Sequence, residues 1–331
     1  MAKHFGLDIG SSTIKVLKAE KEGHELKAVK FAQVNVDPNK KTSELIRLAM
    51  KEAGINKSYE VNIALPERSV YTRIIQIPRL SEAELASAIQ YEAEQYVPVS
   101  LEEVELYHHI LSNRDEEVEG KMEVILIAVP KTKINALIDH LDEAALMPKS
   151  LESEMFSVAR VFEDEKKIQF LLSFGHESTD MMILDRGKPI FLHSHHSGGL
   201  ALTRTLANEL SLPDDQAEEY KRTYGLKKDQ LEGKVANLLS PIIDELVNQI
   251  NKSILFIQQN KKNKIPEQMI VCGGGALLPG LSSYLVSKLN MEVLIGDPLM
   301  GFKKDQDFSK LFGSIPNSSL TTVVGLGIKG L

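Results

Sequence analysis

A strand, a glycine turn rich in hydroxyls and a returning strand open this chain, and the same pattern comes back about half the chain later. The first copy is Gly6-Leu7-Asp8-Ile9-Gly10-Ser11-Ser12-Thr13-Ile14-Lys15. The second is Phe170-Leu171-Leu172-Ser173-Phe174-Gly175-His176-Glu177-Ser178-Thr179-Asp180-Met181-Met182-Ile183-Leu184. Two such hairpins at half-chain spacing predict two related lobes, each offering a turn to a shared cleft. The chemistry suits phosphate. Glycine lets backbone N–H groups come close to oxygens, while hydroxyls and a lysine add donors and charge. Gly10, Ser11, Ser12 and Lys15 are expected on one side of a phosphate chain, and Gly175, Ser178 and Thr179 on the other. Asp8 suits a hydrated divalent metal. A third run, Gly273-Gly274-Gly275 between a strand and a helix, predicts backbone lying flat against a planar base or ribose. Either hairpin alone reads equally as an ordinary polar turn. Three glycine loops in this order favour a nucleotide cleft.

With 331 residues, 43% of them apolar, the chain can build two sizeable cores. A net charge of −7 argues against a general nucleic-acid binder. The single cysteine, Cys272, excludes an intramolecular disulfide, fits a reducing compartment and reads as a small buried apolar residue. No signal peptide or membrane-spanning stretch is expected.

Alternating residues predict strands over 5–20 and 25–36, followed by a helix over 42–53 stopped at Gly54 and a short strand over 61–65. Residues 70–150 read as an inserted α+β unit. It comprises a strand to Ile77, a helix opened by a capping box from Ser81 to Glu84, strands over 104–111 and 122–129, and a helix over 131–145. An acidic loop over 113–120, with Asp115-Glu116-Glu117, separates the last two strands and reads as solvated. An open edge of this unit suits an extended peptide, although a covered edge is the plainer reading. The first lobe is expected over 1–69 and 151–166 with the final helix 320–331, and the second over 167–319 with a helical part at about 211–262. A helix over 240–259 carries an apolar stripe of Ile243, Leu246, Val247, Ile250, Ile254 and Ile257. The final helix is poor by propensity, and its Gly325 and Gly327 suit close packing on another backbone.

The three glycine loops resemble the phosphate 1, phosphate 2 and adenosine motifs of the actin/Hsp70/sugar-kinase superfamily. Ala217-Glu218-Glu219-Tyr220-Lys221 is similar to the Ala-Glu-x-x-Lys helix of bacterial actin-like proteins, which implies ribose contacts for Glu218 and Lys221. Ile77-Pro78-Arg79-Leu80-Ser81-Glu82-Ala83-Glu84-Leu85, continuing through Ile89-Gln90-Tyr91-Glu92-Ala93-Glu94-Gln95-Tyr96-Val97-Pro98, resembles the type IV pilus assembly PilM family, which is related to the cell-division protein FtsA. The resemblance spans essentially the whole chain. It implies an α/β, two-lobed actin-like (ribonuclease H-like) fold with an inserted α+β subdomain. It also implies a cytoplasmic ATP-binding scaffold beneath the inner membrane, with magnesium held by Asp8 through water. That scaffold would take the cytosolic N-terminal peptide of the membrane protein PilN in a groove between the first lobe and the inserted subdomain. Other pilus inner-membrane components, assembly ATPases and self-association are compatible with it.

One departure bears on chemistry. Ser173 stands where the family carries an aspartate in Asp-x-Gly, so ATP hydrolysis is expected to be weak or absent. Glu177 lies in the turn and Asp180 beyond it, so neither is expected to replace the missing charge. Glu154 matches the water-polarising acid of the first connecting helix and is the candidate catalytic residue, with a capping or surface role as the equal alternative. His193, His195 and His196 read as a polar strand end, not a zinc site. Two other classes compete. An FtsA-like filament former is expected to carry a C-terminal amphipathic membrane helix, whereas this sequence stops at Leu331 after the second connecting helix. A sugar or acyl kinase needs a catalytic base in the second lobe.

Overall fold

The computed structural model describes residues 4–56, 60–111, 120–261 and 264–331; the acidic Asp115-Glu116-Glu117 loop lies outside the described residues. The first lobe opens with β1 (His4–Ile9), β2 (Thr13–Glu22), β3 (Glu25–Asn35), α1 (Thr42–Ala53) and β4 (Glu60–Leu65). Helix α1 ends as expected at Gly54, whose φ of 64° is the left-handed geometry of a helix C-cap. Next come β5 (Tyr71–Pro78), α2 (Glu82–Tyr96), β6 (Val104–Ile110) and β7 (Lys121–Pro130). The Ser81–Glu84 capping box opens α2. The chain then returns through α3 (Lys131–Ala144), β8 (Met147–Ser153) and α4 (Glu154–Phe162).

The second lobe repeats the plan with β9 (Ile168–Phe174), β10 (Thr179–Asp185), β11 (Lys188–His195), α5 (Gly199–Leu210), α6 (Asp214–Tyr224) and α7 (Lys234–Asn260). It closes with β12 (Gln268–Cys272), α8 (Leu281–Leu289), β13 (Glu292–Ile295), the short α9 (Phe308–Phe312) and α10 (Thr321–Gly327). Helix α7 begins at Lys234, ahead of the expected Ser240, and carries Pro241 inside it.

The two large sheets have one topology. Their orders are β3-β2-β1-β4-β8 and β11-β10-β9-β12-β13, each three antiparallel strands followed by two added in parallel. Both central strands are buried on both faces. Phe5 and Leu7 pack with Leu45 and Ile46 of α1, while the opposite face of the first sheet meets α10. In the second sheet Phe170, Leu172, Met181 and Ile183 pack with Leu202 of α5 and Leu246 of α7. Leu171 and Met182, on its other face, pack with Met155 and Val158 of α4.

Helices α4 and α10 thus lie between the lobes, and they touch backbone to backbone. A Cβ on Gly325 would stand 2.0 Å from the Ser157 carbonyl oxygen, and one on Gly6 would stand 2.5 Å from the Gly327 nitrogen. This contact is why a poor helix-forming sequence serves there.

The strands β5, β7 and β6 form a separate antiparallel sheet. With α2 it holds its own core around Ile75, Ile77, Leu85, Ile89, Val124 and Leu126. The sequence pattern groups α3 with this unit, but Leu137, Leu141 and Ala144 of α3 join the core of the first sheet. Among the described residues no helix is long and apolar enough to cross a membrane.

Candidate functional site

Both glycine turns open into one cleft of about 480 Å³, within the range of small-molecule sites. Each turn is closed by the same bond: the Gly10 N–H donates to the Thr13 carbonyl at 3.0 Å, and the Gly175 N–H to the Ser178 carbonyl at 2.9 Å. A Cβ at either glycine would press on that carbonyl, at 2.9 and 3.0 Å. The cleft wall includes Asp8, Gly10, Ser11, Ser12 and Lys15 from the first lobe and Gly175, Ser178, Glu218 and Lys221 from the second. Gly273, Gly274, Gly275 and Glu154 complete the expected set on that wall.

Thr179 is the exception. Its side chain is buried and its Oγ1 donates to the Ser197 carbonyl at 2.7 Å, tying down the loop before α5. Side chains alternate along a strand, so Ser178 and Asp180 share one side and Thr179 takes the other. The glycine run also divides its work. A Cβ on Gly273 would meet the Phe174 carbonyl oxygen at 2.5 Å and one on Gly275 the Phe174 ring at 2.5 Å, whereas Gly274 has open space before it.

Strand register sets the electrostatics. Asp8 lies directly across from Lys15, and the two form a buried ion pair at 3.1 Å. Ser173 lies directly across from Asp180, a buried carboxylate that also lines the cleft. The register therefore places the Asp180 carboxyl beside Ser173, although the two lie on opposite sides of the turn in sequence. Ser178 donates to it at 3.0 Å and Ser194 at 2.5 Å. Burial raises its pKa, and these two bonds work against the rise.

Glu154, the first residue of α4, accepts from Thr322 of α10 at 3.0 Å. Burial, then the charges of Asp8 and Asp180, push its carboxyl up to about 8. Glu67, fully buried beside Ser153 and Thr72, is pushed up to about 7 by burial. Among the described residues no three His, Cys, Asp or Glu side chains are grouped closely enough to hold a metal ion directly.

Where α5 and α6 line the cleft, the Lys221 ammonium donates to Glu218, to the Thr203 hydroxyl at 2.9 Å and to the Gly199 carbonyl at 3.1 Å. Burial would raise the Glu218 pKa, but Lys221, Thr203 and Arg222 hold it down at about 2. Burial lowers the Lys221 pKa against the pull of Glu218. The pair is pre-oriented, with Glu218 able to accept from hydroxyls. Cys272 behaves as the sequence suggests: burial pushes its thiol up to about 12, so it is no nucleophile. The cleft also includes residues the motifs did not mark, among them Gln33, Arg68 and Arg222.

Comparison with known proteins agrees with this architecture. The family model described as "Type IV pilus assembly protein PilM" matches residues 6–331. The solved PilM-PilN type IV pilus biogenesis complex is similar at a TM-score of 0.86 and 26% identity, over 99% of this chain and 98% of that one. The ethanolamine utilization protein EutJ from Carboxydothermus hydrogenoformans shares the fold at a TM-score of 0.58 and 14% identity, over 98% and 89% of the two chains. MreB 5 of Spiroplasma citri, solved bound to AMPPNP, does so at 0.53 and 14%, over 97% and 94%. The cell division protein FtsA of Borreliella burgdorferi is 26% identical over 164 residues, spanning 43% of this chain and 40% of that relative's length. With two repeated lobes, convergent glycine turns and a family match running almost end to end, the chain belongs to the type IV pilus assembly protein PilM family.

Proposed function

We propose that the chain is an actin-like scaffold of the type IV pilus inner-membrane platform. It grips ATP between its lobes and holds the N-terminal cytosolic peptide of a PilN-type membrane protein. The near full-length likeness to the PilM-PilN complex, in sequence and in fold, carries this reading. It is supported by two identically closed glycine turns facing one cleft.

Gly10, Ser11, Ser12 and Lys15 take the β- and γ-phosphates from one side, and Gly175 and Ser178 from the other. Glu218 and Lys221 take the ribose, and Gly274 offers bare backbone to the base. Magnesium adds positive charge at the phosphates, held by Asp8 through water. Glu154 stands where a water could be polarised, and turnover is slow because Ser173 carries no charge.

The nucleotide acts mainly as a clamp, fixing the angle between lobes that meet at α4 and α10. The unit within 70–150 bears the partner groove, on the side facing the first lobe. The protein works on the cytoplasmic face of the inner membrane, attached through its partner.

Isothermal titration of ATP and of a PilN-type N-terminal peptide, each alone and then together, tests this reading. Both should bind, and ATP should change the peptide affinity. Failure of the peptide to bind under every nucleotide condition would overturn the scaffold.

A further inference from the structure

An ion pair closes one side of the cleft mouth, and the function proposed above makes no use of it. Arg68 extends from the single turn Glu67–Ser69, which follows β4 and leads straight into β5. Its guanidinium pairs with the Glu177 carboxylate on the turn between β9 and β10. Both residues line the cleft, and their side chains are 38% and 34% exposed. The pair therefore joins the root of the three-stranded unit to the phosphate-facing tip of the second lobe.

A pair this open to water is weakly held, because screening and lost side-chain freedom offset most of its attraction. A phosphate offers more charge and more acceptor oxygens than one carboxylate, and it takes guanidinium through two parallel bonds. Glu177 also places a negative charge where an anionic ligand must approach. A phosphate chain gripped by the two turns would thus compete with Glu177 for Arg68 and win.

We propose that Arg68 senses the terminal phosphate of the bound nucleotide, exchanging Glu177 for it. The inference rests on the nucleotide reading above and adds to it a means of telling triphosphate from diphosphate. The exchange has a structural consequence. Two ion pairs reach the second lobe from this region: Arg68, at the root of the unit, to Glu177, and Glu123 of β7 to Lys261 just beyond α7. Between these ties β5 lies along β11. A triphosphate undoes the first tie and leaves the second, so the unit can turn about its far edge. A diphosphate leaves both in place.

The test is titration of ATP and of ADP, each with magnesium, into the full chain and into Arg68→Gln and Glu177→Gln, with thermal melts confirming that both variants fold. In the wild type ATP should bind more tightly than ADP. Arg68→Gln should weaken ATP about tenfold and leave ADP within about twofold, the loss expected of one charged hydrogen-bonding partner. Glu177→Gln should strengthen ATP several-fold. Equal effects on ATP and ADP, or none, would overturn the sensor while leaving the nucleotide cleft standing. A wild type that binds neither nucleotide would overturn both. Hydrogen exchange of Tyr71–Pro78 gives an independent readout. ATP, but not ADP, should speed exchange there in the wild type, and Glu177→Gln should show the faster exchange without nucleotide; identical exchange under all conditions would overturn the release of the unit.

Discussion

The two hairpins of the cleft have one geometry and two electrostatic characters. The same spacing separates Asp8 from Lys15 and Ser173 from Asp180, and each pair sits directly across its hairpin. The first hairpin presents an acid with its own buried counter-charge. The second replaces that acid with a hydroxyl and the lysine with an acid, whose described hydrogen bonds come from Ser178 and Ser194. The first hairpin is charge-balanced, and the second adds a buried carboxyl to a set that includes Glu67 and Glu154, all with raised pKa. The backbone of the turn is therefore repeated, while the side chains set across it differ.

The largest expected effect comes from breaking the balanced hairpin. Asp8→Asn leaves Lys15 buried without its counter-charge and should cost about 3–5 kcal/mol in urea unfolding, besides weakening magnesium-dependent ATP binding. Asp180→Asn removes a charge that burial already disfavours and should cost about 1 kcal/mol or less. Equal costs would show that the hairpins do not differ in this way.

Acidity gives the next test. The unfolded chain releases the Glu67 and Glu154 protons near the ordinary 4.5, whereas the folded protein holds them to about 7 and about 8. Between those values the folded state binds more protons, so stability should fall as pH rises from about 4.5 through 8. The share of Glu67 is on the order of 3 kcal/mol. Chemical denaturation across that range should show the decline, and Glu67→Gln should flatten it.

A smaller effect comes from making the hairpins alike. Ser173→Asp should raise ATP turnover about tenfold, or about 1.4 kcal/mol of barrier; fast turnover in the wild type would show that the serine is no handicap. Smallest is Thr179→Val, which should cost about 1 kcal/mol of stability through the lost bond to Ser197 and leave ATP affinity within about twofold.

Much of this was legible in the sequence because glycine turns and alternating apolar residues are local signals. The capping box of α2 and the Gly54 stop of α1 belong to the same class. The rest depends on tertiary structure. Asp180 lies beyond the turn in sequence, yet a turn closed from Gly175 to Ser178 sets residues 173 and 180 opposite each other. Thr179 shares the hydroxyl chemistry of Ser178, but strand alternation sends it to the other side. Strand β8 gave little signal, since Met147, Pro148 and Lys149 are exposed and its identity comes from parallel pairing with distant β4. The stripe on α3 is plain, but which of two cores receives it is a tertiary matter. Arg68 sits in no motif, and only its pairing across the cleft marks it.

Amide hydrogen exchange, with and without magnesium and ATP, measures the central claim most directly. ATP should slow exchange at both turns, residues 10–13 and 175–178, over the same range of concentration. Protection of one turn with the other unchanged would contradict a single ligand held between the two halves.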